Sequence, residues 1–76
     1  MPLYYSLETY KPDALRSILS RKGITPNDVA RRTRGEVSAS TIKNMRRGKR
    51  PTVRTGTVET LAKVLYVDED ELRGEE

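Results

Sequence analysis

The sequence predicts an all-α fold, a compact domain of five helices preceded by a short extended N-terminal arm. Three observations predict it. Apolar residues recur at helical spacing in a series of short segments, and helix-start and helix-stop residues bracket those segments. The third is length: 76 residues make one domain, and a chain that short buries only about 60% of the surface its unfolded form exposes, so the core has to be compact.

Residues 3–10 place Leu3, Tyr5 and Leu7 on one side, a period of two that reads as a strand or extended arm with no obvious partner strand elsewhere. Pro12 suits the first turn of a helix and Asp13 complements its positive end. Leu15, Ile18, Leu19 and Lys22 follow at helical spacing, and Gly23 stops the helix. A second, short helix starts at Thr25-Pro26-Asn27-Asp28, where Thr25 caps free amides, Pro26 fits the first helical position and Asp28 favours the dipole. Ile24 can staple onto Val29, and Val29 and Ala30 face inward before the helix ends near Thr33.

A turn containing Gly35 covers residues 33–37. Ser38 then caps a third helix running from Ala39 to about Arg47, with Val37, Ile42 and Met45 facing the core and Gly48 ending it. Residues 49–56 read as a polar loop. Thr57 caps a fourth helix, in which Val58, Leu61, Ala62 and Leu65 make a stripe. Asp68-Glu69-Asp70-Glu71 has the spacing of a capping box and starts a last short helix holding Leu72. That acidic run is a helix cap rather than a metal site, and Met45 is core filling. The organisation is an arm at 1–10, a body at 11–73 and an acidic tail at 74–76.

Charge is divided along the chain. The formal net charge is +4, yet residues 11–54 carry 13 Lys or Arg against three acidic residues, a net of +10, whereas residues 55–76 carry two against seven, a net of -5. Arg46, Arg47, Lys49 and Arg50 crowd one five-residue stretch, where mutual repulsion favours an anionic partner. A helix end complementing its own dipole accounts for one or two such cations, not four. The chain has no Cys and no His, which removes the disulfide, the thiolate, the usual general base and the commonest metal ligand together. An enzyme is not expected, nor a cofactor, a metal or a small-molecule ligand. No apolar run approaches the roughly 20 residues of a membrane span, and the N-terminus lacks a signal-peptide layout.

Two short helices joined by a turn, the second capped and followed by basic residues, make the helix-turn-helix plan. From Leu15 to Leu72 the chain resembles the lambda-repressor-like (Cro/Xre-type) DNA-binding domain family. Residues 37–51, VSASTIKNMRRGKRP, carry the most specific part of the resemblance. Leu61-Ala62-Lys63-Val64-Leu65 with Val67 and Leu72 resemble the family's fourth and fifth helices, and Val29-Ala30 the apolar pair of its second. The resemblance implies that the third helix enters the major groove with Ala39, Ser40, Lys43 and Asn44 facing base edges. Asn44 can pair with adenine, Lys43 can reach guanine acceptors and Ala39 can touch a thymine methyl. Ser38, Thr41, Arg47, Lys49, Arg50 and Thr52 are placed for phosphates.

The chain departs from the family at four places. Pro26 stands where the family usually has a phosphate-contacting glutamine. The family's frequent arginine–glutamate pair falls on Leu19 and Arg46 and is therefore absent, leaving Arg46 to join the phosphate contacts. The turn through Arg34, Gly35 and Glu36 is about two residues longer than usual. The loop before the fourth helix is extended through Val53, Arg54 and Thr55 and can add backbone contacts.

The expected function is sequence-specific binding of double-stranded DNA by a small prokaryotic or phage transcriptional repressor, cytoplasmic and nucleoid-associated. One such module buries only about 600–1,000 Å² on DNA, so a homodimer on two half-sites is expected. Its contacts would come from the arm (Leu3, Tyr5) or the chain end (Tyr66, Leu72). Tyr4, Tyr5 and Tyr10 fit an arm packed over the first and fifth helices as well as an arm on DNA or a dimer partner. The alternative function is an antitoxin-like or adaptor module that binds a protein as well as DNA. Single-stranded RNA is disfavoured, because the basic region holds no aromatics on which bases stack.

Overall fold

Residues 7–74 are described by a computed structural model. In chain order they form β1 (Leu7–Glu8), α1 (Pro12–Lys22), α2 (Pro26–Arg32), α3 (Ala39–Arg46), β2 (Val53–Arg54), α4 (Thr57–Leu65) and α5 (Glu69–Leu72). The five expected helices are present, and the description all-α needs one correction. β1 pairs antiparallel with β2, Leu7 opposite Arg54 and Glu8 opposite Val53, and Tyr10 bridges to Arg73. The partner strand thus lies inside the stretch read as a polar loop. Val53 explains it: this side chain is buried in the core, but a lone apolar residue among Lys, Arg and Thr has no periodicity to announce a strand.

The core gathers one face from every helix. Leu15, Ile18 and Leu19 of α1, Val29 of α2, Ile42 and Met45 of α3, the α4 stripe and Leu72 of α5 meet there with Tyr10, Val37 and Val53. α3 packs against α1 and α2, and α4 against α2 and α5. Burying each large aliphatic side chain contributes about 1.5–3 kcal/mol relative to leaving it exposed. Ile24 and Ala30 are half-buried at the edge of this cluster.

Local signals set most helix ends. Gly23 closes α1 at φ 66°. A Cβ there would meet no neighbouring atom, so what glycine supplies is the left-handed backbone rather than space. α2 begins with a reciprocal capping box: the Asp28 amide donates to Thr25 Oγ1 at 3.2 Å and the Thr25 amide donates to Asp28 Oδ2 at 3.1 Å. Arg31 donates to the other oxygen of Asp28 at 2.6 Å. The hydrogen bonds from the Thr25 backbone and side chain, and then Arg31, hold the Asp28 carboxyl below the usual aspartate range. At α5 the Asp68 amide donates to Glu71 Oε2 at 3.3 Å, in keeping with the Asp-x-x-Glu spacing.

α4 starts differently from the expectation. Thr57 is its first residue rather than its cap, and the N-cap is Gly56 at φ 99°, which has no side chain to offer. The free amides of Gly56 and Val58 donate instead to Glu8 Oε2, at 3.1 and 3.2 Å. A carboxylate at a helix N-terminus is favoured by the dipole as well as by the hydrogen bonds. This one arrives from a strand 48 residues away in sequence.

The N-terminal arm is therefore part of the fold from Leu7 onward. Tyr10 is buried and its hydroxyl donates to the Arg50 carbonyl, which is the packed reading of this tyrosine. Leu3, Tyr4 and Tyr5, and the last two residues of the acidic tail, lie outside the described residues. Leu72, expected as a dimer contact, is 2% exposed and belongs to the core. Tyr66 is 84% exposed and Leu7 59%.

Candidate nucleic-acid interface

α2, the following turn and α3 form the helix-turn-helix unit. The turn is held from inside by Thr33, a buried polar residue. Its hydroxyl donates to the Ala30 carbonyl at 2.8 Å and accepts from the Val37 amide at 3.2 Å. Arg34 at φ 58° and Gly35 at φ 86° reverse the chain, and the Gly35 amide returns to the Ala30 carbonyl at 3.2 Å. The extra residues of this turn are thus taken up in a closed, hydrogen-bonded reversal, and Val37 enters the core just before α3.

Ser38 starts α3, its Oγ accepting from the Thr41 amide at 3.1 Å and lying 2.9 Å from Thr41 Oγ1. Ile42 and Met45 are almost wholly buried and fix the phase of the helix. The opposite face then carries Ser40, Lys43 and Arg47, all exposed, with Asn44 and Ala39 half-buried on its flanks. Four of these five are the predicted base-facing set. Arg46 lies half-buried on the side nearest α1, and its carbonyl accepts from Arg16 Nη1 at 3.1 Å. Arg16 also pairs with Asp13.

Gly48, at φ 74°, turns the chain out of the helix, and the Lys49 amide donates back to the Asn44 carbonyl at 2.9 Å. Lys49 and Arg50 follow, exposed, with Thr52 half-buried. Beside them runs a polar groove of about 300 Å³ whose lining includes Ser38, Thr41, Arg50, Val53, Arg54 and Thr57. The structure thus sorts the predicted residues into two neighbouring surfaces. Ser40, Lys43, Asn44 and Arg47 share the outward side of α3, while Ser38, Thr41 and Arg50 share the groove. Arg54 and Thr57 join that groove although neither was among the predicted site residues. Arg54 comes from β2 and Thr57 from the first position of α4; the sequence marks Arg54 only as part of an extended loop that can add backbone contacts.

The cations of this region differ from Arg73 in their partners. Arg73 is neutralised by both Glu8 and Glu69, at 2.8 and 2.6 Å, and those two carboxylates favour its charged form. By contrast, none of Lys43, Arg46, Arg47, Lys49 and Arg50 pairs with a carboxylate among the described residues. Their field therefore projects outward from the end of α3 and the loop beyond it. Pro26 is buried under α2, so the position where the resembling family reaches a phosphate is packed inward here.

No group of three or more His, Cys, Asp or Glu among the described residues is arranged to hold a metal ion. No helix among them is long and apolar enough to cross a membrane. No curated protein and no solved structure matches the chain. A family model described as a helix-turn-helix domain matches residues 13–74, a span that includes α2, the turn and α3 and ends beyond α5.

Proposed function

The chain belongs to a Cro/Xre-like helix-turn-helix domain family, and from that premise we propose that it is a sequence-specific, double-stranded DNA-binding transcription regulator, a small repressor that acts by occupying an operator. The observation that carries the reading is the outward side of α3. It combines groups able to read base edges, Ser40, Lys43 and Asn44, with a border of cations, Arg46, Arg47, Lys49 and Arg50, that no carboxylate among the described residues neutralises. In this reading Ala39, Ser40, Lys43 and Asn44 face bases, and Arg46, Arg47, Lys49, Arg50 and Thr52 meet phosphates. Ser38 and Thr41, which line the neighbouring groove together with Arg50, take a phosphate role there.

One such module covers a small area of duplex, so a homodimer on two half-sites is the proposed working form. Tyr66, exposed at the end of α4, is the proposed dimer contact among the described residues. The test is selection of bound duplexes from a random pool at near-physiological salt. The expected result is an enriched palindrome with half-sites about 10 base pairs apart, bound by two copies in sedimentation. Binding without enrichment that vanishes as salt rises would leave only phosphate attraction and overturn sequence-specific recognition.

A further inference from the structure

We infer that residues 7–10 act as a strap that sets the shape of the basic loop at 49–55 for its DNA phosphates, with Tyr10 and Glu8 as positioning residues. The inference rests on the DNA binding proposed above and adds to it two residues that sit outside the helix-turn-helix unit.

The strap grips the loop at both ends. Near the start, the buried Tyr10 hydroxyl donates to the backbone carbonyl of Arg50, 40 residues away. Burial raises the Tyr10 pKa, with the Arg50 charge opposing it, so the phenol remains a donor at neutral pH. At the far end, Leu7 and Glu8 pair with Arg54 and Val53. Glu8 Oε2 accepts from the Gly56 and Val58 amides, and its Oε1 accepts from Arg73 at 2.8 Å. The Glu8 side chain is only 10% exposed.

Across residues 49–55 only Val53 enters the core, while Lys49, Arg50 and Arg54 are exposed. A basic loop tied down at one apolar residue would have to order itself on the duplex and lose affinity by doing so. One held before binding is spared that loss. The strap reaches the loop through the Arg50 carbonyl and the strand pairing, and the start of α4 through two amides, so the Lys49 and Arg50 side chains are left exposed.

The test uses the full chain. Tyr10→Phe deletes one hydroxyl and keeps the ring in the core. Glu8→Gln keeps the size of the cap but removes its charge. Duplex affinity is measured across a salt series, with amide hydrogen exchange at residues 49–56 and the thermal midpoint alongside. For Tyr10→Phe the expected result is roughly 3- to 10-fold weaker binding, with the slope of log K against log salt shallower by about one. Exchange at 49–56 should be faster and the midpoint little changed. Glu8→Gln should move the same quantities further. Arg50→Ala should cost less in the Tyr10→Phe background than alone, since both act on one contact.

Tyr10→Phe that keeps wild-type affinity and salt slope overturns the strap, whether or not loop exchange quickens. Should Glu8→Gln fail to fold, Tyr10→Phe decides alone. A wild-type chain that holds no duplex overturns the proposed function and the strap together. A wild-type chain that binds while its variants bind equally overturns the strap only.

Discussion

Asn44 and Thr33 lie only 11 positions apart and sit in different settings. Asn44 is half-buried on the outward flank of α3, where its amide can offer both a donor and an acceptor to one base. Replacing it with alanine is expected to cost roughly 1–3 kcal/mol on the best site and to relax preference at one base pair, with little loss on random duplex. Parallel titrations on the two kinds of DNA check this, and equal weakening on both would show that Asn44 reads no base. Thr33 is buried inside the turn. Its hydroxyl ties the last turn of α2 to the Val37 amide, and Thr33→Val keeps the shape while stranding that buried amide. The expected cost is about 1–3 kcal/mol of stability, read as a lower urea midpoint with an unchanged slope. The place of Asn44 was legible, because Ile42 and Met45 set the helix phase. That of Thr33 was not: a threonine at a helix end looks the same in sequence whether it faces water or closes a turn.

At the scale of the element, the caps of α2 and α4 show where local reasoning holds. The α2 cap is built within four residues, so its signals are adjacent in sequence and the helix starts where they place it. It also carries a pH dependence. The Asp28 carboxyl titrates lower in the folded chain than in the unfolded one, held there by Thr25 and Arg31. Its contribution is therefore fully present above the unfolded carboxyl range and is lost as pH falls through the folded value. Asp28→Asn should be less stable than wild type at neutral pH, and the difference should shrink as pH drops into the acid range. Urea unfolding from neutral pH down to about pH 2 checks it. A difference constant across that range would remove Asp28 from the acid dependence. α4 is the contrary case: its amides are satisfied by Glu8 of β1. Thr57, with the residue type of a cap, sits one position too late.

For the molecule as a whole, the division of charge along the chain becomes a division in space. Glu69 of the C-terminal part shares Arg73 with Glu8 of the N-terminal strand. Among the described residues, Lys43, Arg46, Arg47, Lys49 and Arg50 have no such carboxylate partner. Arg50→Ala is accordingly expected to weaken every duplex alike and to make the salt dependence shallower by about one, the release of one phosphate's counterions. A salt series on both an enriched site and random DNA measures it, and an unchanged slope would take Arg50 away from the phosphates. This signature separates Arg50 from Asn44, whose loss should alter preference and leave the slope alone.

The sequence by itself determined the five helices, the phase of each apolar stripe, the helix-turn-helix unit and the outward set on α3. These depend on caps and spacings that act within one or two turns. Only the tertiary structure decided that Leu7–Glu8 pairs with Val53–Arg54, that Glu8 caps α4 and that Arg54 and Thr57 share a groove with Ser38, Thr41 and Arg50. Those choices join residues as many as 50 positions apart. A hydrogen bond over that distance leaves no periodicity behind, because what selects the partner is the packing of the core that brings the two segments together.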